Sequence, residues 1–276
     1  MPALTHIGDH PEDLYAFALE SLRAKKNIVI VIIVAIEGSS SRRVGTPMIV
    51  LETGDYAGYV SSGCLDEDIA GQALEALKTG RTHKVRYGKG SKYIDLILPC
   101  GGGLDLLCIP NPEIELVAQL VDAAKNRCPG ELSIAHAASH YKFEYAPRLR
   151  IVVFGEGGEA SRLVEIAKAG NIEVILNPET DTIKADEWTA IILMFHDHEK
   201  ELPILKSAIE TPAFYIGAMG SRKSHSNRME ALAEMGLDSK SLSRIKGPIG
   251  LVPSTRDASR LAISVLAEIY DFDRKR

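Results

Sequence analysis

Two cysteines in the first half of the chain sit in glycine turns, Ser61-Ser62-Gly63-Cys64 and Cys100-Gly101-Gly102-Gly103. Each closes a strand-like run, and the first is followed by a helix opening at Leu65-Asp66-Glu67-Asp68. A thiol at a helix N-terminus meets unpaired backbone N–H groups and the positive end of the helix dipole, which favour thiolate. Asp66, Glu67 and Asp68 suit the same dipole but oppose a thiolate beside them, so the sign of any shift at Cys64 stays open. Gly63, Gly101 and Gly102 would let a ligand come close to the backbone. Two such thiols point to soft-ligand or sulfur chemistry. The competing reading is that they pack as small hydrophobes, the common fate of free cysteine. Cys108, after an apolar run, and Cys128, before Pro129-Gly130, are expected to do that. Arg42 and Arg43, in the Gly38–Gly45 loop, are candidate anion contacts, Arg42 the weaker of the two.

The second half carries three further turns. Gly155-Glu156-Gly157-Gly158-Glu159-Ala160 lies between a strand pattern and a helix pattern and fits G-x-G-x-x-A. Gly155 and Gly157 would permit a tight turn and close approach of a phosphate to the helix N-terminus. The next strand ends at Asn177, where a nucleotide site would place an acid for the ribose, and Glu156 and Glu159 add negative charge. A structural turn and an NAD(P) site both remain open. His196-Asp197-His198 has metal-ligand spacing without a third ligand, so a polar strand end or cap is the simpler expectation. Gly217-Ala218-Met219-Gly220-Ser221-Arg222 precedes a helix with Lys223, His225 and Arg228. Glycines, a hydroxyl and guanidinium groups at a helix start could hold a phosphate, or merely cap a basic face.

The elements that must position these groups follow from periodicity. Pro11–Lys25 reads as an amphipathic helix capped by Asp9. Ile28–Ile36 is a strand buried on both faces, and Pro47–Leu51 with Tyr56–Val60 forms a hairpin. Leu65–Lys78 is a helix closed by Gly80. Strands follow at His83–Tyr87, Tyr93–Leu98 and Leu104–Ile109, then a helix at Glu113–Lys125 and an ambiguous stretch, Glu131–Tyr145, with hairpin character. From Pro147 onward strands alternate with helices: strands at Leu149–Phe154, Glu173–Leu176, Ala190–Phe195 and Ala213–Ile216, helices at Gly158–Ala169, Glu199–Ile209, Lys223–Met235 and Thr255–Phe272. That alternation predicts a parallel sheet covered on both faces. The class is α/β: a mixed α+β domain over residues 1–146 and a Rossmann-like domain over 147–276.

The 276 residues suffice for two domains, and the net charge of −5 argues against bulk nucleic-acid binding. Ile28–Ile36 is too short to cross a bilayer, and the first residues lack a basic-then-apolar signal. Four irregularly spaced cysteines make no disulfide framework, so a reducing cytoplasm is the simplest compartment.

Taken together these blocks resemble the XdhC/CoxI family, accessory factors for molybdenum hydroxylases such as xanthine dehydrogenase. The resemblance runs through Gly38-Ser39-Ser40 to Arg43, Gly45 and Met48; the Cys64 and Cys100 motifs; the Gly155 turn; His196-Asp197-His198; Tyr215–Arg222; Arg244-Ile245; Pro248-Ile249-Gly250-Leu251; and Ala267-Glu268-Ile269. These blocks stand in family order across nearly the whole chain. The chain departs from the pattern at Glu156-Gly157-Gly158, Lys246 and Val252-Pro253-Ser254, all in the second half.

The resemblance implies an XdhC/CoxI domain joined to a Rossmann domain. It implies binding of molybdenum cofactor, support of its sulfuration and insertion into an apo molybdenum hydroxylase; a non-catalytic assembly factor is the first expectation, and whether any catalysis occurs stays open. It further implies a homodimer and contact with a cysteine desulfurase. By position, Cys64 and Cys100 become the cofactor thiols and candidate metal ligands. Gly63, Gly101, Gly102, Arg43, Gly155, Gly157, Gly220, Ser221 and Arg222 are the other candidate cofactor contacts. The alternative from the residues alone is an NAD(P)-dependent oxidoreductase with a redox-active thiol.

Overall fold

The computed structural model describes residues 2–61, 63, 65–91, 102–180, 183–195 and 197–274. Cys64, Cys100, Gly101, His196 and the Tyr93–Leu98 strand expectation lie outside the described residues. The contacts divide the chain into two units, Met1–Pro147 and Arg148–Arg276.

The first unit is built on an antiparallel sheet. Its strands are β1 (Ile28–Glu37), β2 (Pro47–Leu51), β3 (Tyr56–Ala57), β4 (His83–Gly88) and β5 (Gly103–Pro110), in the order β3-β2-β1-β5-β4. The β-branched run of β1 makes it the central strand, and its alternate residues enter two cores. Val29, Val31 and Ile33 meet helix α2 (Asp66–Thr79) through Ile69, Ala70, Ala73 and Ala76. Ile28, Ile30 and Ile32 meet α1 (Pro11–Arg23) and α3 (Ile114–Lys125) on the other face. Strands β6 (Gly130–His136) and β7 (Ser139–Tyr145) pair as a hairpin and add Leu132 and Phe143 to that second core. A register shift between Ile33 and Ala35 bends the exposed end of β1.

The second unit is a parallel sheet of β8 (Arg150–Gly155), β9 (Glu173–Leu176), β10 (Thr189–Met194), β11 (Tyr215–Ala218) and β12 (Ile245–Lys246). The order is β12-β11-β10-β8-β9. Helices α4 (Gly158–Ala169) and α8 (Ala258–Arg274) cover one face. Helices α5 (His198–Ile209) and α6 (Arg222–Glu234) cover the other, with the short α7 (Ser239–Leu242) following α6. The chain reverses direction across the sheet at β8, so the crevice where ligands collect in such sheets falls beyond the ends of β8 and β10.

Two expectations need correction here. The cap of α1 is His10, whose Nδ1 accepts from the Glu12 N–H at 3.3 Å; Asp9 instead pairs with Arg42 at 2.8 Å. Strand β11 runs through Gly217 and Ala218, which the glycine content had marked as loop. Gly217 is there because a Cβ would lie 2.5 Å from the Tyr215 ring and 2.7 Å from Ile249.

Candidate functional site

In the first unit, the pairing registers bring three loops to one end of the sheet. Glu37, the last residue of β1, pairs with Gly103, and so does Gly88 at the end of β4. The loop between β1 and β2 returns at that end, with the Gly45 N–H donating to the Ile33 carbonyl at 2.8 Å. Ala57 opposes Ile49, so the chain beyond β3 runs to the same end. The described residues that follow β3, that end β4 and that open β5, and the Gly38–Gly45 loop, therefore share one edge.

Specific contacts tie these loops together. Gly102 packs so closely on the Glu37 carbonyl that no Cβ fits, and Gly38 lies against the Gly102 Cα. Arg42 donates through Nε to the Tyr59 carbonyl at 3.2 Å, and its guanidinium lies 3.5 Å from the Tyr59 ring centroid. The Gly38–Gly45 loop thus touches the approach to both cysteines. Arg42 is spent on Tyr59 and Asp9, and its guanidinium holds the Asp9 carboxyl below the usual carboxylate range. Arg43 is exposed, and its guanidinium has no partner among the described residues.

The turn before α2 is organised by Asp66. Its carboxylate is 1% exposed and accepts from the N–H groups of Val60 and Ser61 at 3.0 Å and of Gly63 at 2.7 Å. The Leu65 N–H donates to the Ser61 hydroxyl at 2.8 Å. The expectation that Asp66 simply faces the helix dipole is corrected: the side chain folds back onto N–H groups of the segment before Cys64. Asp68 reaches across to the Tyr87 hydroxyl at 2.5 Å, tying α2 to β4. Beside Gly102, Arg86 joins Glu37 (2.5 Å), Asp105 (3.0 Å) and the Lys89 carbonyl (2.7 Å). This guanidinium ties β4 to β5 and to the end of β1. Sequence reasoning missed Asp66 and Arg86 in these roles. For Asp66 the signal was an acid placed just after a Ser/Gly turn, where its side chain can reach local N–H groups.

Among the described cysteines, Cys108 is buried and its thiol is pushed up to about 12 by desolvation. Cys128 is exposed, contrary to expectation, because its Pro-Gly neighbour places it in the connection before β6 and not on a core strand. No cluster of three or more His, Cys, Asp or Glu with metal-binding geometry occurs among the described residues.

In the second unit, the turns after β8, β10, β11 and β12 share the carboxyl edge of the parallel sheet. A Cβ on Gly155 would lie 2.6 Å from the Met194 carbonyl, so glycine is required where β8 and β10 diverge. Gly157, at φ 93°, leads into α4. Asn177 donates to the Gly155 carbonyl and accepts from its N–H, both at 2.9 Å. This amide fastens the turn after β8 at the position where a nucleotide site would set an acid for the ribose, and the geometry does not support NAD(P). Asp197 caps α5, accepting from the Glu199 N–H at 3.0 Å.

After β11, Ser221 caps α6 by accepting from the Ser224 N–H at 3.0 Å, and Ser221 and Arg222 are exposed beside Gly220. Arg228 does not join a basic surface. It is buried, donating through Nε to Glu201 at 2.7 Å and through Nη2 to the Met219 carbonyl at 2.8 Å. His225 presses on Gly247; burial first, and Arg228 second, lower its pKa from 6.5. From α8, Glu268 accepts from the Tyr215 hydroxyl at 3.0 Å and the Gly250 N–H at 2.5 Å, holding the segment after β12.

These two units have counterparts among known proteins. Residues 151–269 match the XdhC Rossmann domain, and residues 21–88 match the XdhC and CoxI family. The chain belongs to the XdhC and CoxI family. It is 33% identical to the molybdenum cofactor insertion chaperone PaoD of Escherichia coli (strain K12), over 97% of this chain and 90% of that protein. It is 22% identical to the uncharacterized protein YqeB of the same organism, over 86% of this chain but 42% of YqeB. A crystal structure described as a xanthine dehydrogenase from Bacillus halodurans superposes with a TM-score of 0.75 at 20% identity, covering 95% of this chain and 96% of that one. That likeness establishes the fold.

Proposed function

We propose that this protein carries molybdenum cofactor and inserts it into an apo molybdenum hydroxylase of the xanthine dehydrogenase type. The observation that carries the reading is the 33% identity to an insertion chaperone across 97% of the chain. The cofactor is cargo. Cys64 and Cys100 would offer sulfur to the metal, since thiolate is a soft ligand suited to molybdenum. Gly63, Gly101 and Gly102 would admit the cargo to the backbone, and Arg43 is an exposed cation in the Gly38–Gly45 loop. The gathering of three loops at one end of the antiparallel sheet supports this assignment. In the second unit, Gly155, Gly157, Gly220, Ser221 and Arg222 would take the phosphate of the pterin, their turns lying at the carboxyl edge that receives ligands in parallel sheets. We assign to the same role support of cofactor sulfuration in contact with a cysteine desulfurase, work as a homodimer, and a reducing cytoplasm suited to free thiols.

The test is pterin fluorescence after oxidative release, with molybdenum content, on protein purified anaerobically from a cofactor-producing host. Pterin and molybdenum in the parent, and their loss in Cys100→Ala, are expected. Cargo retained in full by Cys100→Ala would remove that thiol from the site. Absence of pterin from the parent would refute the carrier reading.

A further inference from the structure

The pair Glu201–Arg228 lies wholly inside the second unit, with both side chains 0% exposed. A buried ion pair is a weak source of stability, because desolvation of both charges offsets their attraction. Its geometry here is directed elsewhere. Arg228, on α6, uses one nitrogen for Glu201 of α5 and another for the carbonyl of Met219, the residue before Gly220. A third nitrogen stands 3.5 Å from His225 Nδ1, and that ring packs on Gly247. One fork therefore reaches the turn after β11, the helix after β10 and, through His225, the segment after β12. Met219 is fixed on its other side as well, its N–H donating to the Leu193 carbonyl at 2.8 Å.

We propose that Arg228 is a positioning residue: held by Glu201, it fixes the Met219 carbonyl so that Gly220, Ser221 and Arg222 present one preformed surface to the cargo. This rests on the reading of those three residues as cargo contacts. Lysine replaces Arg228 only in part, since its three hydrogens leave one nitrogen and do not span the two acceptors that Nε and Nη2 reach.

The test compares pterin retained per protein, with melting temperature, in four proteins: the parent, Ser221→Ala/Arg222→Ala, Glu201→Leu/Arg228→Met and Arg228→Lys. Apolar replacement of a buried ion pair is commonly neutral in stability, so Glu201→Leu/Arg228→Met removes the clamp without stranding a charge. The expected result is a melting temperature near the parent's with pterin retention down about tenfold, the equivalent of one positioned interaction. Arg228→Lys should show a smaller loss in the same direction. Full pterin in Glu201→Leu/Arg228→Met, while Ser221→Ala/Arg222→Ala loses it, would overturn the positioning role alone. Full pterin in Ser221→Ala/Arg222→Ala would overturn the contact assignment and this inference with it. If Glu201→Leu/Arg228→Met does not fold, Arg228→Lys decides: loss of pterin at unchanged melting temperature supports the role. Retention, or loss that only tracks melting, refutes it.

Discussion

A single carboxylate shapes the turn that leads into α2. Asp66→Ala would leave the N–H groups of Val60, Ser61 and Gly63 without their acceptor. The Val60 donor is buried, and a buried donor left unsatisfied costs about 1–3 kcal/mol, so a loss of that order is expected in urea unfolding. An unchanged midpoint would show that the carboxylate is dispensable. His225 makes a pH-dependent contribution of definite sign. Its folded pKa lies below 6.5, burial being the larger cause, while the unfolded side chain takes up its proton near 6.5. Stability is therefore full above that value and falls as the pH drops through it toward the folded value. His83, also lowered by burial, acts in the same direction. Melting temperatures at pH 7.5 and 5.5 should converge in His225→Gln, with a remainder from His83; an unaltered pH dependence would contradict the assignment. These residues also mark what the sequence concealed. Arg228 sits among Lys223 and His225 in a stretch that reads as a basic surface. Only the fold reveals that Glu201, 27 positions earlier, faces it in the core.

At the scale of elements, the turn from β8 into α4 depends on the absence of a side chain. Gly155→Ala would press a Cβ to 2.6 Å from the Met194 carbonyl, and backbone there cannot yield cheaply. A loss of about 1–3 kcal/mol is expected, read as a fall in melting temperature by circular dichroism. A melt identical to the parent's would mean that β8 and β10 separate freely. Most elements were legible because their periodicities are strong. β1 is a β-branched run, and the second half alternates strand and helix. The β6–β7 hairpin was ambiguous because its outer face is polar and its turn at Ala137, at φ 51°, lacks glycine. β12 escaped notice since two residues carry no period; it exists through its pairing with β11. The cap of α1 went to His10 because Asp9 has a stronger partner in Arg42.

At the scale of the molecule, each unit closes its own cores on both faces of its own sheet. Residues 148–276 expressed alone are therefore expected to fold cooperatively, with a dispersed amide spectrum and a single thermal transition. A collapsed spectrum without dispersion would show that the second sheet needs the first unit. The sequence pattern changes near Pro147, from hairpins to strand–helix alternation, and the contacts form units Met1–Pro147 and Arg148–Arg276. The convergence of three loops on one edge was not readable in the sequence, since it depends on the registers of β1 with β5 and β2 with β3.

The amide of Asn177 sets a constraint on redesign. An engineer seeking to turn this scaffold into a dinucleotide-dependent catalyst would begin by installing an acid at that position. Aspartate could still accept from the Gly155 N–H, but it has no hydrogen to return to the Gly155 carbonyl. The retrofit would unfasten the glycine turn that it was meant to exploit, so any such conversion must first supply a new donor for that carbonyl.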